Sequence, residues 1–316
     1  MYDVVALGEL LIDFTNGSVD EKGYPTLSAH PGGAPANFLA ALAKYGMKTA
    51  LLGKVGNDVF GRLLIKTVKE ADIETGGIII SDDFFTTLAF VTLDERGERE
   101  FSFARKPGAD MMLTPADINI DVINAAKIFH FGTLSLTNQP ARSATHIAVE
   151  YADECGKQIS FDPNFRRPLW SDLEDAKKQI LWGLEKANIV KISDDEIRLL
   201  WDIGPEEGAA KIRKEFGTEL VFVTCGSEGC VFANKNSMGK VGCPKVTPVD
   251  TTGAGDIFGG SALSRILKSG KRLEAFTYED LYATAEFACT AASLSTEHFG
   301  GISSVPDEKE VYERIR

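Results

Sequence analysis

The chain has 316 residues, with 34 Lys and Arg against 46 Asp and Glu, a formal charge of −12. With 44% hydrophobic and 25% charged residues it can bury a sizeable core, which excludes a disordered tail or a fibrous repeat. The acid excess argues against a nucleic-acid partner, and no apolar run approaches the ~20 residues that cross a bilayer, so no membrane partner is expected either.

The first apolar run is 4–7, flanked by Asp3 and Glu9 with no basic segment before it, and it reads as a strand and not a secretory signal. A polar, turn-rich stretch follows at 14–31, then a helical pattern at 37–45, a strand at 49–52 and a helix at 60–71. Residues 86–104 read as a hairpin: 87–93, a turn at Asp94-Glu95-Arg96-Gly97, then 99–103. Strand, turn, strand without a helix does not belong in a parallel core. The segments at about 14–31 and 84–106 are therefore expected to form one small antiparallel sheet, a lid projecting from the main body. Phe84, Phe85, Phe90, Phe101 and Phe103 supply its apolar face, which needs a ligand, the main body or a second subunit over it. A homodimer through the lid is one such cover.

Further along, strands at 128–131, 158–161, 189–192 and 220–224 alternate with helices at 141–155, 172–186 and 206–216. Long helices at 254–267 and 279–290 follow. Strand, helix, strand is the pattern of parallel βαβ units, and strands apolar on both faces belong to a sheet covered on both sides. The expected fold is α/β: a doubly wound, mostly parallel sheet with helices on both faces, plus the lid, in one domain spanning 1–316. The five cysteines (Cys155, Cys225, Cys230, Cys243, Cys289) are odd in number and form no CxxC, so reduced thiols in a cytoplasmic protein are expected. Cys225, Cys230 and Cys243 lack the paired spacing of a zinc site.

The most informative stretch is Val249-Asp250-Thr251-Thr252-Gly253-Ala254-Gly255-Asp256-Ile257-Phe258-Gly259-Gly260. A strand-like run ends, three small residues turn the chain, and a helix begins. The unpaired amides of that first helical turn, backed by the helix dipole, make an anion site. Asp256 repels an anion there, which a simple phosphate binder would avoid. An enzyme that transfers phosphate to a hydroxyl wants it, because the hydroxyl proton needs an acceptor. A Walker loop, a complete GxGxxG fingerprint and the protein-kinase motifs are all missing.

Asp250-Thr251-Thr252-Gly253-Ala254-Gly255-Asp256, together with Pro31-Gly32-Gly33-Ala34-Pro35-Ala36-Asn37, resembles the two signatures of the ribokinase-like (PfkB) carbohydrate kinases, in the family's order and over essentially the whole chain. The resemblance implies an ATP-dependent sugar kinase with Asp256 as catalytic base and Gly253, Ala254 and Gly255 as the anion hole for the γ-phosphoryl charge. It implies that Asp13, ending the first strand, and Gly32, Gly33 and Asn37 hold the sugar. Ser193-Asp194-Asp195-Glu196 stands at the family's Asn-x-x-Glu motif, with serine in place of asparagine; Glu196 is expected to act on Mg2+ through water, and Lys191 to reach a phosphate. Thr224, Gly226, Ser227 and Gly229 match the turn beside the nucleotide, and Ala292 and Ser295 the adenine pocket. The backbone carbonyls of Asp250 and Thr252, with Gly300 closing the loop, match a monovalent cation site, hence K+ dependence.

The regions 103–113 and 162–166 resemble those of fructokinases, so the expected acceptor is D-fructose, phosphorylated at O6. Arg105 is expected to reach a sugar hydroxyl from the lid, and Arg166 the sugar or the transferred phosphate. The alternatives are an acidic substrate such as 2-keto-3-deoxygluconate, a riboside, or a non-catalytic sugar-sensing homologue.

Overall fold

A computed structural model of the chain describes residues 1–93 and 99–315; the expected turn at 94–97 lies outside them. Thirteen strands run in chain order as β1 Tyr2–Leu7, β2 Leu11–Val19, β3 Pro25–Gly32, β4 Thr49–Gly56, β5 Ile73–Ser81, β6 Thr87–Leu93, β7 Arg99–Ala104, β8 Ala126–Gly132, β9 Gln158–Asp162, β10 Ile189–Ser193, β11 Leu220–Thr224, β12 Cys230–Ala233 and β13 Met238–Val241. The helices are α1 Ala34–Lys44, α2 Val59–Glu70, α3 Ile120–Asn124, α4 Ala141–Glu154, α5 Leu173–Lys186, α6 Asp194–Trp201, α7 Pro205–Phe216, α8 Ala254–Ser269, α9 Tyr278–Ser295 and α10 Glu308–Ile315.

Nine strands form the main sheet in the order β13-β12-β11-β10-β9-β8-β1-β4-β5, parallel from β11 through β5 and closed by two antiparallel strands. Strand side chains alternate between faces. In β1, accordingly, Val4 and Ala6 join a core built with α1, α8 and α9, while Val5 and Leu7 join a second core built with α4, α5 and α7. Both faces of the central strands are thus dry, as a parallel sheet requires. α1 and α8 lie against one another so closely that a Cβ on Gly260 would fall 2.3 Å from the Phe38 carbonyl oxygen. That approach brings the first turns of the two helices together.

The second sheet, β3-β2-β6-β7, differs from the expectation in its pairing. β2 runs parallel to β6, with Asp13 opposite Ala89, so the sheet is mixed and not antiparallel throughout. The reason is topological: β2 leaves the carboxyl end of β1, and β6 enters from the same side after β5, so both strands rise from the main sheet in one direction. The stretch that reads as polar and turn-rich becomes two strands, because Ile12 and Phe14 pack one side of β2 on the first core and Leu11 turns the other way, toward Ala89 and Leu134, while β3 stays largely exposed. Phe14 stacks on Phe90 at 5.3 Å and meets Phe60 edge-on at 5.6 Å, seating the small sheet on α2.

Candidate active site

The carboxyl ends of the parallel strands open into a cleft of ≈ 700 Å³ that the small sheet overhangs. That is the expected place for a ligand in an open α/β sheet, and the volume suits two small molecules side by side. Of the residues expected at a site, Asp13, Gly33, Asn37, Arg166, Lys191, Ser193, Glu196, Thr224, Gly226, Thr252, Gly253, Gly255 and Asp256 all line it.

The chain reaches the cleft floor through Gly253. Its φ of 78° is left-handed, a conformation glycine adopts without strain, and it opens α8 with no side-chain cap on the first turn. Amides of that turn therefore face the cleft. Lys191, in the middle of β10, brings its ammonium to 2.9 Å from where a Cβ on Gly255 would stand. Backbone donors and a buried cation thus share one cradle, kept open by the missing side chain, and it fits a phosphate.

Asp256 lies in the same turn and is only 7% exposed. Its Oδ2 accepts from Asn37 Nδ2 at 2.9 Å and its Oδ1 from Asn164 Nδ2 at 3.2 Å. Burial raises its pKa above the usual carboxylate range, against the opposing pull of Asn37, Lys191 and Arg166. It is a base made stronger by desolvation and aimed by two amides. Asn37 sits inside α1 and does not cap it; Gly33 is the N-cap.

Lys191 is itself gripped by Asp162, at 3.1 and 3.3 Å. Burial pushes Asp162 up to about 7 despite that cation. Burial alone would lower the Lys191 ammonium, but Asp162, Glu196 and Asp256 around it raise it, so it stays charged. Glu196 accepts from Ser193 N at 2.8 Å and Phe165 N at 2.7 Å, while Ser193 Oγ accepts from Glu196 N at 3.2 Å. Serine serves this capping box as an asparagine would. Both Glu196 oxygens are engaged, and no group of three or more metal-type side chains occurs among the described residues. A divalent ion here would rest mainly on phosphate oxygens and water, with Glu196 behind them.

Several expected residues stand elsewhere. Arg105 does not reach the cleft: its guanidinium is buried, pairing with Asp110 at 2.7 Å and donating to Thr137 Oγ1 at 3.0 Å and the Leu134 carbonyl at 3.2 Å. Thr87 Oγ1 also bonds Asp110. A buried cation needs a full set of acceptors, and this knot at the root of β6 supplies them. Asp13 lies on β2 and not at the end of β1, with its carboxylate against Gly32. Ser295 donates to the Ala292 carbonyl inside α9, Gly229 is a tight turn beside Val241, and Ser227 is exposed on the short turn after β11; none of these lines the cleft. Ala254 is also absent from the lining, though its neighbours are present. Asp250 Oδ1 accepts from Thr252 N at 2.9 Å and Oδ2 from Gly300 N at 3.1 Å, which ties the two loops expected to share a cation.

The sequence does not single out Asp162 and Asn164 as individual residues, nor Glu9, Leu11 and Leu134 in the lining; Phe103, expected on the apolar face of the lid, does line the cleft. The signal for the first two was a polar pair at the carboxyl end of an apolar strand, the position of a ligand-facing group in such sheets. Glu9 lines the cleft with Oε1 accepting from Ala34 N at 2.9 Å, and burial pushes its pKa up to about 7.

Among known proteins, the profile described as pfkB family carbohydrate kinase matches residues 1–308. The chain is 40% identical over 315 residues to "Fructokinase-1" of Zea mays, covering 99% of this chain and 97% of that one. Two solved structures superpose on it with a TM-score of 0.88. One is fructokinase with bound ATP from Xylella fastidiosa, at 28% identity over 100% of this chain and 98% of that one. The other is fructokinase from Vibrio cholerae O395 with fructose, ADP and a calcium ion, at 31% identity over 100% and 99%.

Proposed function

The chain belongs to the pfkB family of carbohydrate kinases, and we propose that it transfers the γ-phosphoryl group of ATP to the 6-hydroxyl of D-fructose. The observation that carries this reading is Asp256, buried beside the phosphate cradle of α8 in a cleft that also holds Asp13. The Asp256 carboxylate takes the proton of the sugar hydroxyl as its oxygen bonds to the γ-phosphorus, and the bond from that phosphorus to the bridging oxygen of ADP breaks. Lys191, Arg166 and the amides around Gly255 balance the charge on the moving group. Asp13 accepts from sugar hydroxyls and orients the acceptor.

The choice of a neutral sugar rests on charge. The sugar end is lined by Glu9, Asp13 and Asp256 and by the apolar Leu11, Phe103 and Leu134. Arg105, which would have paired with the carboxylate of an acid such as 2-keto-3-deoxygluconate, is consumed by Asp110. An aldonate would set its carboxylate against those of Asp13 and Asp256. The retained base, cradle and acceptor acid argue for an enzyme over a sugar sensor.

Mg2+ is the divalent ion that suits ATP held by phosphate, water and Glu196. K+ at the carbonyls of Asp250 and Thr252 is supported by the way Asp250 fastens that loop to Gly300. The proposal extends to a dimer formed through the small sheet, where Val19, Tyr24 and Leu27 are exposed. It also extends to a cytoplasmic location, which suits five free thiols.

A panel of hexoses, ribosides and sugar acids, assayed with ATP and Mg2+ and with the product resolved by phosphorus NMR, tests the reading. Fructose 6-phosphate is the expected product, with Asp256→Asn reducing turnover by about 10²–10⁴-fold while ATP still binds. Phosphate on another hydroxyl, or near-normal turnover by the variant, would overturn it.

A further inference from the structure

The short connection after β9, residues 162–165, reaches three separate elements of the cleft. Asp162 ends β9 and takes the Lys191 ammonium of β10 on both oxygens, at 3.3 Å for Oδ1 and 3.1 Å for Oδ2. Its Oδ1 also accepts from the backbone N–H of Asn164 at 3.1 Å. Asn164 Nδ2 in turn donates to Asp256 of α8, and Phe165 N donates to Glu196 of α6. The connection is pinned at Pro163, whose carbonyl accepts from Thr133 N at 3.2 Å and from the Thr133 hydroxyl.

Asn164 stands at φ 43°, in the left-handed region that few residues other than glycine adopt. A backbone kept there needs its surroundings to hold it, and the Asp162 carboxylate on Asn164 N does so. Asp162 itself is 6% exposed and does not line the cleft. It reaches the chemistry only through Lys191, which stands in the phosphate cradle, and through Asn164, which aims the base. A carboxylate beside a phosphate-binding cation weakens ground-state attraction for the anion, so a simple phosphate binder gains nothing from it. What it supplies is a fixed place for the ammonium before any phosphate arrives.

We propose that Asp162 is a positioning residue for the transfer step: one buried carboxylate sets the cradle cation and, through Asn164, the base in register with one another. Lys191 and Asp256 both act on the moving group, where charge and proton shift only as the reaction proceeds. Loss of their alignment therefore lowers kcat, while the contacts that hold the rest of each substrate keep both KM values.

The proposal rests on the kinase reading above, so the parent, Asp256→Asn and variants at 162 and 164 are assayed side by side with ATP, Mg2+ and fructose. Asp162→Asn is expected to lower kcat by about 10²-fold, the cost of a misplacement near 1 Å, with both KM values within about threefold of the parent. Asp162→Asn keeps an acceptor for Asn164 N and Asp162→Ala does not, yet both remove the same charge. The other groups facing Asp256, which are Asn37, Asn164, Lys191 and Arg166, are the same in the two. The acidic limb of kcat against pH should therefore lie higher in Asp162→Ala than in Asp162→Asn, and higher in Asn164→Ala than in the parent, because a lost donor raises the base. Thermal melts and ATP calorimetry show that each variant is folded; should Asp162→Ala not fold, Asp162→Asn and Asn164→Ala decide. Near-parental kcat in Asp162→Asn, a loss confined to KM, or an unmoved limb in Asn164→Ala would overturn the proposal. A parent that moves no phosphate to fructose, or an Asp256→Asn that keeps turnover, would overturn the kinase reading and this proposal with it, a failure told apart because it shows without any change at 162.

Discussion

Asn37 and Asp256, 219 residues apart, are joined by a buried hydrogen bond of 2.9 Å between the first turns of two packed helices. The amide holds the carboxylate in one rotamer and favours its charged form. In Asn37→Ala that donor is gone, so the pKa of Asp256 rises further. The acidic limb of kcat against pH is expected to move to higher pH, with ATP affinity little changed. An unmoved limb, measured from pH 5 to 8, would detach Asn37 from the base.

Asp13 stands on β2 in the small sheet and lines the cleft across from the helix that carries the base. Asp13→Ala strips hydrogen bonds from the sugar and none from the nucleotide. KM for fructose should rise by about tenfold or more, each lost charged hydrogen bond being worth roughly 1.5–3 kcal/mol. KM for ATP should stay near the parent value. Steady-state kinetics with each substrate varied in turn decides it.

Arg105 and Asp110 are both 3% exposed in their side chains. Arg105→Ala leaves the Asp110 charge buried without its cation, a change that costs about 3–5 kcal/mol. Denaturant unfolding should report a loss of that size. The protein that remains folded should keep its KM for fructose, which a sugar-binding Arg105 would not allow.

Glu9 has a folded pKa pushed by burial from 4.5 to about 7. The raised value means that the folded state holds a proton the unfolded state has released. Stability is full below the unfolded value and falls as pH rises through about 7, by up to about 3 kcal/mol. Glu9→Gln keeps an acceptor for Ala34 N without titrating. The variant should therefore gain Tm relative to the parent as pH rises from 5 to 8, and a constant difference would show that Glu9 does not titrate in this window.

The cleft chemistry was legible where it was contiguous. Gly253, Gly255 and Asp256 fall within one helical turn, so spacing alone describes the cradle and the base beside it. Asn164 and Asp162 were not, because their partners Asp256 and Lys191 come from other strands and helices. Nor was Arg105: a guanidinium at the end of a lid strand suits a sugar equally well until Asp110, Thr137 and the Leu134 carbonyl are seen around it.

From residues alone came the alternation of strand and helix, the two-sided burial of the main sheet and the anion-binding turn, since periodicity and helix-end chemistry are local properties of the chain. The direction of β6 beside β2, the amides that flank Asp256 and the acceptors around Arg105 were settled only by the packed structure. Each depends on which of several competing partners a buried polar group finds, and that competition is decided by packing between segments far apart in sequence.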